Sequence, residues 1–360
     1  MQVEELYDLC HWIDREIVQE EISQLYAELH QVLNQNIQPN QAKLPFEKQR
    51  DKLFNALELV SLSELPTAQI EILNKIGIAK NVGTDGKKKL ENALYINALD
   101  LASAAQVVSE SLNSINDGVN WSKQMLTPLN RIVEEEEVES IILESGKVLL
   151  RIRFANHAKI SNLSDFKDWG KAWWEIARGV TMAHGDAPES FEIIGASKGS
   201  IILSLVTAYA MAKTTSGIIM EALKVVEKIY DIKELAQRVK HLELSNQDAE
   251  KVVNKAATDE KAAGLEHILN SAIAEIGLDK EKQANEITEL TKSIKKLVDF
   301  LDKGGSVDFV LPDQSADEDE SLEEERKTLE SRFQEVRMLE KKLLQLEHQA
   351  KEEDGIPRED

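Results

Sequence analysis

The chain has 360 residues, enough for two or three compact units, and 43 Lys and Arg against 65 Asp and Glu leave a formal net charge of -22. That balance disfavours the counterion release on which nucleic-acid binding rests, so nucleic acid is not an expected partner. The only cysteine, Cys10, excludes an internal disulfide, and the opening MQVEELYDLC has neither the basic start nor the apolar run of a secretory signal, which together predict a cytoplasmic protein.

Residues 3–37 read as one long helix, with Leu6, Ile13, Ile17, Leu25, Leu29 and Val32 on one side and Pro39 and Pro45 beyond its end. Further helices are expected near 46–60, 67–76 and 87–116, separated by Pro66 and by the loop NVGTDG at 81–86. Short connections between amphipathic helices imply a helical bundle unit over 1–133, closed by the acidic run at 134–137.

An α+β unit over 138–311 is expected next. Val148, Leu150, Ile152 and Phe154 alternate with Leu149, Arg151 and Arg153, the two-residue period of a half-buried strand. A helix follows with Phe166, Trp169, Trp173, Ile176 and Val180 on one face, Asn162 or Ser164 as its cap and Gly185 after its end. FEII and SIILSLV read as strands, and 216–305 as helices whose buried positions include Ile218, Leu223, Val226 and Ile229, then Val252, Ala256, Leu269 and Ile273. Ile287, Leu290, Ile294, Leu297 and Leu301 make one seam, ended by Gly304 and Gly305. Val307, Phe309 and Leu311 suggest a last strand returning to the sheet.

Residues 313–325 hold eight acids and no base, so 312–325 reads as a solvated linker. The helix expected over 326–353 carries Leu329, Phe333, Val336, Leu339, Leu343 and Leu346, with a phase slip between Val336 and Leu339. A short coiled coil, or a helix that docks on another surface, follows from that pattern. These six side chains are the expected contact for a partner or for self-association.

Gly195, Ser197 and Gly199 spell G-x-S-x-G after a strand-like run, which is how a serine hydrolase presents its nucleophile. An elbow needs a helix directly after the serine, whereas Ile201, Ile202, Leu203, Leu205 and Val206 suit a strand. The preferred reading is a hairpin with a three-residue loop at Ser197, Lys198 and Gly199. Catalysis by Ser197 is the alternative. Another concerns residues 199–226, because Gly199 to Met220 holds one charge, Lys213, in 22 residues. Lys213 would cost about 2.5 to 3.5 kcal/mol at the centre of a span, which favours a buried strand and helix over membrane association.

Lys198-Gly199 and Gly86-Lys87 both fail the Walker pattern, and Lys80, Lys87, Lys88 and Lys89 read as a solvated loop rather than an anion site. The seven histidines include no H-x-x-x-H, so no metal is expected, and no cofactor either. His184 falls in a helix's last turn, beside partial negative charge. Trp174 lies off the tryptophan stripe, a position suited to touching a partner or another domain. The whole predicts a mostly helical α+β protein with a small antiparallel or mixed sheet. With helical seams plentiful and no catalytic constellation in context, a non-enzymatic interaction or assembly protein, able to form oligomers, is the expected function.

Overall fold

The computed structural model describes residues 3–96, 101–133, 146–197, 201–241, 247–312 and 320–353. The fold is predominantly helical α+β, 76% helix with a small antiparallel four-stranded sheet. Two compact units divide the chain, Met1–Ile142 and Leu143–Asp360.

In the first unit Leu9, Ile13 and Ile17 follow at steps of four, but the next buried position on that line is Ile22, five residues on. Helix α1 (Val3–Ile13) accordingly passes into a π-helical turn at Asp14–Gln19, Glu21 takes a φ of 53°, and α2 (Ile22–Ile37) starts afresh. The single helix expected over 3–37 is thus corrected. The extra residue between Ile17 and Ile22 would carry the apolar row off the core, and the π-helical turn takes it up, so that Leu9, Ile13, Ile17, Ile22 and Tyr26 all enter one core.

The unit continues with α3 (Glu47–Leu59), α4 (Thr67–Lys75), α5 (Gly83–Glu91) and α6 (Leu101–Leu129). Of the helix expected over 87–116, the described part is the end of α5, a π-helical turn at Asn92–Ile96 and the start of α6, with residues 97–100 outside the described residues, and α5 begins inside the stretch NVGTDG that reads as a loop. Gly86 permits this: a Cβ there would lie 2.5 Å from the Asn81 carbonyl carbon, so the tight entry into α5 needs a residue without one. Leu9, Tyr26, Leu29, Leu57, Leu90 and Ile115 are fully enclosed in the resulting core.

The second unit contains β1 (Lys147–Arg153), α7 (Leu163–Ala183), β2 (Glu192–Ser197), β3 (Ile202–Ala208), α8 (Tyr209–His241), α9 (Gln247–Ile276), α10 (Ala284–Asp302), β4 (Ser306–Val310) and α11 (Glu320–Glu353). The strands form one antiparallel sheet in the order β2-β3-β1-β4. Leu150 stands opposite Leu205 on one side and Phe309 on the other, and Ile152 opposite Leu203 and Val307. Val148, Leu150, Ile152, Leu205, Val307 and Phe309 enter a core shared with α7, α8, α10 and α11, while Leu149, Val206 and Val310 form a smaller buried cluster.

Residues 202–226 of the apolar run at 199–226 are strand β3 followed at once by α8, whose Ile218, Ile219, Ala222, Leu223 and Val226 are buried. No described helix is long and apolar enough to cross a membrane. In the first half of α9 the inward side is one residue out from expectation: Val252 and Ala256 are exposed, and Ala257 packs against the core instead.

The C-terminal helix departs most from its sequence reading. Residues 313–319 of the expected linker lie outside the described residues, and Glu320–Glu325 already belong to α11. Leu329, Phe333 and Val336 are each 1% exposed, and the Phe333 and Phe309 rings stack with centroids 4.6 Å apart. Three arginines fix the helix to three separate carbonyls: Arg326 donates to Pro312 at 2.7 Å, Arg332 to Lys213 at 2.7 Å and Arg337 to Phe309 at 2.7 Å. Arg332 also pairs with Glu275 at 2.8 Å, and Arg337 with Asp308 at 3.0 Å.

Glu340 completes the attachment by accepting the Val307 N–H at 3.1 Å. β4 is an edge strand, and α11 satisfies backbone groups there that would otherwise invite another chain. The residue is half-buried but its carboxyl is enclosed between α11 and β4, and burial pushes its pKa up to about 8 against the pull of Arg337 and Arg153. A tethered helix free to meet a partner through this stripe is corrected to a structural wall of the second unit.

Candidate functional site

Ser197 is the last residue of β2, paired with Ile202 of β3, not the first residue of a turn. Lys198 and Gly199 lie outside the described residues. The helix that a nucleophile elbow requires after its serine is replaced by strand β3, antiparallel to β2. That removes the context that would give G-x-S-x-G its chemical meaning.

The other polar groupings are built into the packing. His184, directly after α7, meets the Thr214 hydroxyl at 2.9 Å, and burial lowers its pKa despite Glu275 and Asp186, so the neutral ring is favoured over the cation that a helix terminus would hold. The lysines around 80–89 do not converge. Lys87 pairs with Glu58, whereas Lys89 turns inward to Asn81 Oδ1 at 2.8 Å and Ser111 Oγ at 2.9 Å, with its pKa lowered by burial. A groove of about 510 Å³ in the first unit is lined by Ile17, Val18, Glu21, Ser23, Gln24, Asn116, Val119, Asn120 and Lys123. Among the described residues no three histidine, cysteine or acidic side chains gather as metal ligands.

Helix α7 offers more. Its start is fixed by Asn162, whose Oδ1 accepts the N–H groups of Ser164 at 2.8 Å and Asp165 at 3.0 Å, while Asp165 accepts the Ser161 N–H at 2.9 Å in return. The inward side carries Trp173, Ile176, Ala177 and Val180. Trp169 and Trp173 each meet the Phe300 ring edge-on at 5.2 Å, and Phe154 meets it at 5.4 Å. Gly179 lets α10 approach, since a Cβ there would lie 2.4 Å from Ser293 Cβ and 2.6 Å from the Glu289 carbonyl oxygen.

The outward side of the same helix is apolar and basic. Leu163, Phe166 and Trp174 are 87%, 55% and 50% exposed, and Gly170 falls between the two aromatic residues at four residues from each. Phe166, read from sequence as part of the inner stripe, therefore belongs to the outer one: the first turns of α7 extend past the elements that cover Trp173 and Val180. Lys167, Lys171 and Arg178 line the adjoining row, with Asp168 and Glu175 beyond them. The Arg178 guanidinium lies 5.3 Å from the Trp174 ring centre and 3.6 Å from Glu289. Lys292 first, and Arg178 after it, hold the Glu289 carboxyl below its usual range. Lys171 and Lys296 approach Glu175 at 4.0 and 3.7 Å, and Lys167 has no ion pair among the described residues.

Of the seven side chains expected from sequence to meet a partner, Trp174 is the exposed one. Leu329, Phe333, Val336 and Leu343 are buried together, and Leu339 and Leu346 pack against them. Sequence reasoning passed over Leu163, Gly170 and the basic row. The available signal was Gly170 itself, a poor helix former placed midway between two aromatic residues. Comparison with protein-family models, with curated proteins and with solved structures finds no match to this chain.

Proposed function

We propose that the protein is a non-enzymatic interaction or assembly protein of the cytoplasm that recognises its partner through the outward side of α7. The supporting observation is that row of Leu163, Phe166 and Trp174, exposed together on a helix whose opposite side is already committed to the core. Scattered exposed apolar residues are ordinary, but an aligned set that includes tryptophan and arginine has the composition of interface centres. Trp174 is also held in place by Arg178, so less side-chain freedom is lost on binding.

The test is affinity capture and light scattering on the full chain beside Trp174→Ala and Phe166→Ser. Loss of a captured protein, or of a higher assembly state, in both variants with unchanged melting temperature is the expected result. Capture and assembly identical to wild type in both would overturn the proposal.

A further inference from the structure

β4 pairs with β1 on one side and with no strand on the other. Two backbone groups of that open side, the Val307 N–H and the Phe309 carbonyl, lie two residues apart and so face the same way. Side chains of α11 take both: Glu340 accepts from Val307 at 3.1 Å, and Arg337, one helical turn earlier, donates to Phe309 at 2.7 Å. Their charges are unequally served. Arg337 is also committed to Asp308 at 3.0 Å, whereas the Glu340 carboxyl has the Val307 N–H as its one hydrogen-bond partner among the described residues and no ion pair there. The charged groups facing it are Asp308 of β4, Arg153 of β1 and Arg337 of its own helix. An enclosed carboxylate without a paired cation is costly, so the position suits the neutral acid, in keeping with its pKa of about 8.

The apolar hold on α11 also changes along its length. As far as Val336 the helix is fixed by enclosed side chains and by Arg326 and Arg332. Past Val336, Met338 and Leu344 face solvent, Leu339 and Leu346 are half-buried and Leu343 is the buried one, with Lys342 paired to Glu227 of α8. We infer that Arg337 and Glu340 form a latch on the open edge of β4, and that the stretch 337–346 of α11 lifts off that edge more readily once Glu340 gives up its proton. Opening returns the carboxylate to water and uncovers the Val307 N–H and the Phe309 carbonyl together. The closed latch keeps the proton up to about pH 8, while an exposed glutamate loses it near 4.5. Closure is therefore favoured most below pH 4.5, and the opening constant should rise about tenfold per pH unit between those values and level off above the upper one.

Hydrogen exchange of the full chain between pH 6 and pH 9, corrected for the intrinsic rate at each pH, reads the latch at the Val307 amide. Protection there should be at least about tenfold lower than at Ile294 and Leu297 in the middle of α10, which separates local opening from unfolding of the whole unit. It should fall about a hundredfold from pH 6 to pH 9. Glu340→Gln keeps an oxygen acceptor for the Val307 N–H and has no charge to gain, so its protection should stay within about threefold over the same range. Asp308→Asn releases Arg337 to meet the ionised carboxyl and should bring the levelling-off to a lower pH, a shift that a purely structural contact would not show. Val307 protection equal to that of α10, or independent of pH in the wild type, would overturn the inference. So would a fall of wild-type size in Glu340→Gln, or a levelling-off in Asp308→Asn at the wild-type pH or above. Should Glu340→Gln fail to fold, the wild-type profile and the Asp308→Asn shift decide the matter.

Discussion

Helices α7 and α11 are both long, both amphipathic and both carry an aromatic side chain on the row expected to meet a neighbour, yet they end with opposite assignments. Phe333 of α11 is 1% exposed and stacked on Phe309, while Trp174 of α7 is 50% exposed. The C-terminal stripe that looks like a partner surface is consumed by β4 and α8, and the helix that looks like a core element has a second, uncovered side. An apolar row at helical spacing states that cover is favourable. Which element supplies the cover depends on chain arriving from elsewhere.

The comparison breaks most readily at Phe333. If α11 is a wall of the second unit, Phe333→Ala should cost about 3 to 5 kcal/mol in a denaturant titration. A loss below about 1 kcal/mol would return α11 to the status of an appendage. The Glu340 contact adds a pH dependence of the next size. Its folded pKa of about 8 lies above the ordinary value of 4.5, so the stability it contributes is full below pH 4.5 and is lost as pH rises through 8. Wild-type stability should fall by on the order of 2 to 4 kcal/mol between pH 5 and 9 from this group. Glu340→Gln retains an oxygen acceptor for the Val307 N–H and should flatten that slope; urea midpoints at pH 5, 7 and 9 that decline equally in both proteins would exclude Glu340 as the cause.

The two glycines of α7 sharpen the contrast within a single helix. Gly179→Ala should destabilise by about 1 to 3 kcal/mol, because its Cβ is driven into Ser293 and the Glu289 backbone. Gly170→Ala should stabilise by about 0.5 to 1 kcal/mol, the usual gain for an exposed helix interior. Opposite signs in thermal melts are the expected outcome. Smallest of all on stability is Trp174→Ala, expected within about 0.5 kcal/mol of wild type, where any larger loss would mean that Trp174 supports the core.

Much of the second unit was legible before the structure. The alternation through Val148, Leu150, Ile152 and Phe154, the seam from Leu290 to Leu301 and the return strand at Val307 and Phe309 all have strong periods, and all sit where those periods place them. Breaks were harder to see. The step of five from Ile17 to Ile22 was readable as a phase change, but that it becomes a π-helical turn with Glu21 at positive φ follows from packing two helix halves onto one core. The candidate surface was only partly legible. Trp174 fell off the inner stripe by counting residues, whereas Phe166 was misassigned because position on a wheel does not say where the covering elements end.

Local energetics therefore determined, from sequence alone, the helices and strands with strong apolar periods and the side chains on them that favour burial. Backbone hydrogen bonding and apolar periodicity act over a few residues, and those residues are adjacent in the chain. Tertiary structure alone decided which buried sides find one another. Arg326, Arg332 and Arg337 reach carbonyls of Pro312, Lys213 and Phe309, contacts spanning from 14 to 119 residues, and it is these that turn α11 inward. With the core's demand for apolar surface met from within, the outward side of α7 is left uncovered, because no further segment among the described residues packs over Trp174.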